Sequence, residues 1–115
     1  MTKLESLVPP LELCQQIPPE AFADSALVWC VCEDMRGVIS QVEIRALCDN
    51  ACECFPAPTL AEIMEAFQRA DFATSIFSCG VGWIAKAIKH NINEFKWAEN
   101  PATAALRLWR ELNKK

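Results

Sequence analysis

The sequence predicts an α+β fold in which an antiparallel sheet of about four to five strands carries two main helices packed on one face. Three observations lead to this prediction. Residues 27–32 are β-branched and aromatic and apolar on both faces, as a central strand is. A proline-rich stretch at 56–59 opens an amphipathic helix, and an alanine- and leucine-rich helix closes the chain after Asn100. At 115 residues, the range 1–115 is predicted to form a single domain.

The first half of the chain is predicted to hold a short helix and a β-hairpin. Residues 11–16 favour a helix that ends before Pro18, because a residue that precedes proline is pushed out of the helical region. Residues 27–32 and 38–45 favour two strands. The polar residues 33–37 between them end in a glycine suited to a tight turn. We therefore expect these two strands to form an antiparallel hairpin.

The central helix has the clearest start signal in the chain. Residues 46–58 are predicted to form a loop, and Thr59 is the predicted N-cap of the helix. The Thr59 hydroxyl can accept from the backbone N–H of Glu62, and the Glu62 side chain can reach back to the N–H of Thr59. Glu65 and Arg69 form a favourable pair on the outer surface. The apolar stripe of this helix consists of Leu60, Ile63, Met64 and Phe67.

The segment after the central helix is predicted to form a second hairpin. Residues 72–79 favour a strand, and Gly80-Val81-Gly82 favours a turn. The segment Trp83–His90 is ambiguous, because its isoleucines have helical spacing whereas its tryptophan and alanines occupy one face of a strand. We favour the strand; the alternative is a mostly helical domain over a short hairpin. Residues 94–98 alternate and favour one more strand.

The closing helix has a well-defined start. Asn100 is a good N-cap, and Pro101 occupies the first helical position, where its missing N–H costs nothing. Lys114-Lys115 complement the negative end of the helix dipole. Leu108 and its neighbour Ala104 lie off the main apolar stripe, so we predict an outward-facing apolar patch there. The stripe itself consists of Ala102, Ala105, Leu106, Trp109 and Leu112.

Four short segments of the chain carry a family resemblance when they are taken together in order. They are residues 7–14, 24–29, 56–60 and 100–109. They resemble small uncharacterised proteins encoded by bacteriophages and prophages of gut bacteria. Those proteins share a Pro-Ala-Pro-Thr helix start and a closing Ala/Leu-rich helix that ends in Leu-Trp. The resemblance implies a phage or prophage origin, and it implies no activity, cofactor or site residue.

The composition disfavours nucleic-acid and membrane partners. The formal net charge is −4, and Lys114-Lys115 is the one basic run, whereas a nucleic-acid reader shows a basic patch or stripe. No apolar stretch reaches the ~20 residues of a membrane span. The N-terminal residues 1–10 lack the apolar core of a signal peptide. We therefore expect a cytoplasmic protein whose seven cysteines are thiols.

The cysteines support one metal hypothesis. Cys48, Cys52 and Cys54 fall in the loop before the central helix, and structural zinc is held by four thiolate or imidazole ligands, often two to four residues apart. No Cys-x-x-Cys pair occurs in the chain, and Cys30-x-Cys32 lies on the predicted first strand. Because free cysteine is commonly a small buried apolar residue, we assign no metal ligand and no cofactor. A small cysteine-ligated zinc-binding module is kept as the alternative.

No catalytic or cofactor-binding residue is assigned from the sequence. A cysteine nucleophile needs a base beside it, and His90 is the single histidine. Gly80-Val81-Gly82 lacks the third glycine and the Lys-Ser/Thr of a phosphate loop. The tryptophans are expected to fill the core between sheet and helices. They are Trp29, Trp83, Trp97 and Trp109.

The predicted function is a non-enzymatic protein-interaction or self-associating module. The chain is 52% hydrophobic, and natural proteins cover or pair exposed apolar patches and free sheet edges. We therefore expect a protein partner or a homodimer, formed through a sheet edge or through the outer face of the closing helix. A hydrolase that uses a cysteine and His90 is a formal third possibility.

Overall fold

The computed structural model describes residues 7–31, 36–40 and 53–113. Its contacts divide the chain into two compact units, Met1–Thr59 and Leu60–Lys115, which we describe in turn. The α+β class is confirmed. The single sheet of four to five strands is wrong in detail, because the described residues form two antiparallel sheets of three strands each. The single domain stays a prediction.

The first unit contains three strands, β1 (Leu27–Val31), β2 (Arg36–Ser40) and β3 (Glu53–Pro56). They form an antiparallel sheet with the strand order β2-β1-β3. The predicted hairpin of β1 and β2 is confirmed. β1 lies in the centre and its first four residues are buried, as a continuous apolar run predicts. Residues 41–45, which were expected to extend the second strand, lie outside the described residues.

The strand β3 corrects the loop that is predicted over residues 46–58, because Glu53–Pro56 form a strand. The register of β3 places Phe55 opposite Trp29, and such aromatic cross-strand pairs stabilise a sheet. The strand occupies the sheet edge and ends at Pro56, where the missing N–H costs no hydrogen bond of the ladder. The loop prediction is wrong here because nearby prolines are also compatible with the end of an edge strand.

A short helix and a 3₁₀ turn precede this sheet. The helix α1 spans Leu11–Cys14, which is shorter than the predicted 11–16, and the 3₁₀ turn spans Pro19–Phe22. Near α1, the indole Nε1 of Trp29 donates to the Pro9 carbonyl at 2.9 Å. This bond satisfies the indole N–H of a buried tryptophan, which would otherwise lose a hydrogen bond to water.

The second unit holds two helices and three strands. They are α2 (Leu60–Arg69), β4 (Ala73–Cys79), β5 (Gly82–Lys89), β6 (Ile92–Ala98) and α3 (Pro101–Leu112). The strand order is β4-β5-β6, and both pairs are antiparallel. The strand interpretation of Trp83–Lys89 is confirmed, because β5 pairs with both neighbours along its length. Gly80 has φ +61° in the turn before β5, a conformation that favours glycine.

Both helices of the second unit pack on one face of its sheet, which we call the covered face. The alanines on the covered face of β5 and β6 are buried: Ala85, Ala87 and Ala98 are at most 1% exposed. Small side chains let a helix approach a sheet closely, and close packing follows. At the end of β5, Lys89 Nζ donates to the Ala70 carbonyl at 2.6 Å.

The helix α2 begins at the predicted residue. Its first residue is Leu60, which places Thr59 at the N-cap position; the capping hydrogen bond of Thr59 stays a prediction. Ile63 and Phe67 are buried, at 0% and 1% exposure. The predicted ion pair between Glu65 and Arg69 is present on the exposed side. The local signals in this part of the sequence were therefore sufficient to place the helix.

The helix α3 confirms its predicted start and corrects its predicted surface. Asn100 Oδ1 accepts from the Thr103 N–H at 2.8 Å, and Pro101 follows at the first position. Leu108 and Ala104 are each 0% exposed, so the predicted outward apolar patch is wrong. The reason is that α3 contacts β5, β6 and also α2, so its buried surface is wider than a single apolar stripe.

Candidate interaction surface

The candidate site is the face of the β4-β5-β6 sheet that lies opposite the covered face, and we call it the open face. Side chains alternate between the two faces along each strand, and residues directly opposite each other on neighbouring strands share a face. Phe77, Ile84 and Trp97 form one such row across the three strands. The open face therefore consists of alternate residues, starting at Ala73 in β4, at Gly82 in β5 and at Asn93 in β6.

Large apolar side chains are exposed on the open face. Phe95 is 60% exposed, Phe77 45%, Trp97 43% and Ile88 42%. Because an aromatic side chain presents about 150–250 Å², the three rings together leave roughly 300 Å² in contact with water. Exposed apolar patches of a few hundred Å² often mark interaction sites. The expectation that all four tryptophans fill the core is wrong for Trp97.

The indole of Trp97 is held in place by a glycine on the neighbouring strand. A Cβ atom added at Gly82 would lie 2.5 Å from three atoms of the Trp97 ring. The ring therefore rests directly against the Gly82 backbone, at a distance that no other residue type permits. On the backbone side, Arg107 of α3 donates to the Trp97 carbonyl at 3.0 Å. Trp97 is thus an exposed aromatic side chain with a defined position.

A shallow depression of about 350 Å³ lies in the open face. It is lined by Phe77, Ile84, Lys86, Asn93 and Phe95. Lys86 is the one charged residue of the open face, and it forms no ion pair with any other described residue. An ammonium group that is surrounded by apolar side chains is suited to a ligand that combines apolar groups with a carboxylate.

The unit that carries the open face differs in charge from the rest of the chain. Residues 60–115 contain eight basic and six acidic residues, a net charge of +2, whereas residues 1–59 contain three basic and nine acidic residues, a net charge of −6. The overall charge of −4 therefore hides a basic unit. A positive unit around Lys86 favours an acidic over a basic ligand.

The strand β6 has the opposite orientation to the one its sequence suggests. Charged and aromatic residues alternate along it, and such alternation normally directs the aromatic side chains to the core. In the structure Phe95 and Trp97 face outward. Lys96 lies on the covered face, where its Nζ is 3.2 Å from Glu111 of α3. The open face could not be predicted from the sequence for this reason, since alternation shows that the two faces differ but not which face the helices cover.

The cysteines do not assemble a metal site among the described residues, which contain no group of three or more metal-ligating side chains. Cys30 is disulfide-bonded, so the prediction of seven thiols is wrong at this position. Cys54 is a free, exposed thiol on β3. Cys48 and Cys52, the other two members of the proposed zinc set, lie outside the described residues. The zinc-binding module stays a hypothesis.

The structure separates His90 from the nearest free thiol of its own unit. Cys79 pairs with Gly82 at one end of β5, and His90 follows Lys89 at the other end. Because a strand rises about 3.3 Å per residue, roughly 25 Å lies between them. His90 is exposed and has φ +50° in the turn before β6. These two residues cannot act together as a nucleophile and its base.

Cys14 is a free thiol that is buried in the first unit. Its Sγ donates to the Pro9 carbonyl at 3.7 Å, and Trp29 donates to the same carbonyl. Burial raises the pKa of the Cys14 thiol to about 12, and this effect outweighs the Trp29 contact, which lowers the pKa. The thiolate is the reactive form of cysteine, so Cys14 is unsuited to nucleophilic chemistry at neutral pH.

We expect Cys14 to resist alkylation in the folded protein. At pH 8 about one Cys14 side chain in ten thousand is a thiolate, given a pKa of about 12. Iodoacetamide should therefore label the exposed Cys54 and Cys79 and leave Cys14 unlabelled until denaturant is added, as read by peptide mass spectrometry. Labelling of Cys14 at the rate of Cys79 without denaturant would contradict the buried position.

The second unit therefore combines two helices on one face of a three-stranded sheet with an exposed aromatic surface on the other face. No protein-family model matches the sequence, and no curated protein and no solved structure is significantly similar to it. Among the described residues, no helix is long and apolar enough to cross a membrane.

Proposed function

We propose that this chain is a non-enzymatic interaction module that binds a protein partner through the open face. The observation that supports the proposal most is the exposure of Phe77, Phe95 and Trp97 on one sheet face. Aromatic side chains are enriched where proteins bind each other, because they bury a large area at a low cost in conformational entropy. A phage or prophage origin is part of the proposal and is supported by the sequence resemblance alone.

The proposed ligand is a segment of another protein with apolar side chains and a carboxylate. The apolar side chains pack on Phe77 and Phe95, and the carboxylate pairs with Lys86. Burying the Lys86 ammonium without a partner would be costly, because a buried charge needs a counter-charge or hydrogen bonds. Pairing with an Asp or Glu of the ligand removes this cost and orients the segment across the strands.

A second copy of the open face is a poor occupant by the same reasoning. Packing two open faces against each other would bury Lys86 of both copies. The open face has no acidic residue at any of its alternate positions on β4, β5 and β6, so neither ammonium would find a counter-charge. Unpaired buried charges destabilise an interface by several kcal/mol. The proposed ligand is therefore a different protein.

Selection from a displayed library of random peptides tests this proposal. We expect peptides selected on the immobilised full chain to combine apolar residues with an acidic residue. Their Kd, measured by fluorescence anisotropy, should rise at least about ten-fold for Phe95→Ser, because an aromatic anchor is lost. Lys86→Gln should weaken binding by a smaller factor, and this weakening should be absent for peptides whose acidic residue is replaced.

Arg110→Gln is the matched control for this experiment. Arg110 is exposed on α3, away from the open face, so its replacement should leave the peptide Kd unchanged. Circular dichroism checks that Phe95→Ser remains folded, as expected for a side chain that is 60% exposed. Equal binding of the selected peptides to the wild type and to Phe95→Ser would refute the proposal.

A further inference from the structure

Among the described residues, the edge strands β4 and β6 of the second sheet pair with no further strand, and these two edges differ in chemistry. The edge strand β6 carries Glu94 and Lys96, and its Trp97 carbonyl accepts from the guanidinium of Arg107 at 3.0 Å. The edge strand β4 reads Ala-Thr-Ser-Ile-Phe-Ser-Cys over residues 73–79 and has no charged residue, no proline and no glycine. Five of its seven residues are exposed. Natural proteins protect free edges with charges, prolines or covering groups, so β6 is protected and β4 is not.

We infer that β4 pairs with β4 of a second copy of this chain, in antiparallel orientation about a two-fold axis perpendicular to the sheet. The two three-stranded sheets then form one continuous six-stranded sheet. An unprotected strand with β-branched and aromatic residues and no charge is the type of segment that pairs with another strand. This inference concerns the sheet edge and does not depend on the ligand proposed for the open face.

The register of this pairing follows from the alternation of side chains. Residues directly opposite each other must share a face. In a strand that pairs with its own copy, the two-fold axis must therefore lie at the level of a residue and not at the level of a peptide bond. Centring on Ile76 is the only arrangement that pairs all seven residues of β4. Ala73 then lies opposite the partner's Cys79, Thr74 opposite the partner's Ser78, and Ser75 opposite the partner's Phe77.

A second copy is favoured over a foreign strand by the composition of β4 and by its relation to the open face. Self-pairing of an uncharged strand places no like charges opposite each other, and the Thr74 and Ser78 hydroxyls can form hydrogen bonds across the seam. The two-fold axis leaves both open faces on the same side of the joined sheet. Phe77 becomes a diagonal neighbour of the partner's Phe77, within reach of an aromatic contact.

Light scattering of the full chain at increasing concentration tests the inference. We expect twice the chain mass of 12.9 kDa at high concentration, with dissociation on dilution. Ser75→Lys places a charge at an exposed position in the seam and should raise the dimer Kd at least ten-fold. Asn93→Lys introduces the same charge on the same face at the β6 edge, and the dimer Kd should not change.

Cross-linking tests the register. Ala73→Cys should yield a covalent dimer under mild oxidation, with a disulfide from position 73 to the existing Cys79 of the partner, identified by mass spectrometry of the unreduced peptides. Asn93→Cys should not cross-link to Cys79. A mass of 12.9 kDa at every concentration, or a dimer that responds equally to Ser75→Lys and Asn93→Lys, would overturn the inference. Peptide binding at the open face is measured separately, so either proposal can fail alone.

Discussion

Phe67→Ala is expected to lower the free energy of unfolding by about 3 to 5 kcal/mol. Phe67 is 1% exposed and lies on the side of α2 that faces the core. Its ring meets the ring of Phe72 edge to face, with centroids 5.7 Å apart. Truncation removes the transfer free energy of the ring, leaves a cavity, and also loses the aromatic contact. Urea denaturation followed by circular dichroism measures the effect, with the m value as a check on two-state behaviour.

Phe95→Ala is the matched control, because it deletes the same side chain from a position that is 60% exposed. We expect a change within about 0.5 kcal/mol, as for other surface substitutions. Equal losses in Phe67→Ala and Phe95→Ala would show that Phe95 is covered in the folded chain, and would remove the basis for the open face. The pair of variants therefore tests the core and the candidate site in one experiment.

Leu108→Ala is expected to cost about 2 to 5 kcal/mol. The side chain is 0% exposed on α3, which packs on β5, β6 and α2. The sequence pattern predicts the opposite, a Leu108 side chain that points outward and whose removal is nearly neutral. The free energy of unfolding in urea distinguishes the two, with Arg110→Ala on the exposed side of the same helix as the control. A Leu108→Ala value as small as that of Arg110→Ala would restore the outward patch.

The proposals assign different roles to the face and to the edge of one sheet. The open face presents aromatic side chains around Lys86. The outer edge of β4 presents backbone groups that pair with no other strand among the described residues. Pairing at the edge would place two open faces side by side, which doubles the surface available to a ligand. A ligand with two copies of the proposed segment would then bind more tightly than one copy, because the second contact is intramolecular.

Local signals in the sequence were sufficient for the starts of α2 and α3, for the hairpin of β1 and β2, and for the turn before β5. They left the strand β5 itself ambiguous, because its residues fit both helical and strand spacing. Asn100 and Pro101 act on the first turn of a helix through one side-chain hydrogen bond and one fixed φ angle. Gly80 has the positive φ that the turn between β4 and β5 requires. These effects depend on residues close together in the chain, so the sequence alone determines them.

The candidate site was not predictable in the same way. Ile84 and Ala85 lie on opposite faces of β5, and both faces contain apolar residues. The helices pack on the alanines, which allow a close approach, and this leaves Ile84 among the aromatic side chains of the open face. Which face of β5 the helices cover depends on how well its side chains fit against those helices. The space available to these side chains is known only when the helices are in place.

The sequence by itself determined the class of the fold, the order of most elements and their local boundaries, because hydrogen bonds and dihedral preferences within a few residues set them. The tertiary structure alone decided that there are two sheets among the described residues, that residues 53–56 pair with β1, and that Leu108 is buried. Each of these depends on contacts between segments far apart in the chain. The free energy of such contacts comes from the area they bury together, which no single segment encodes.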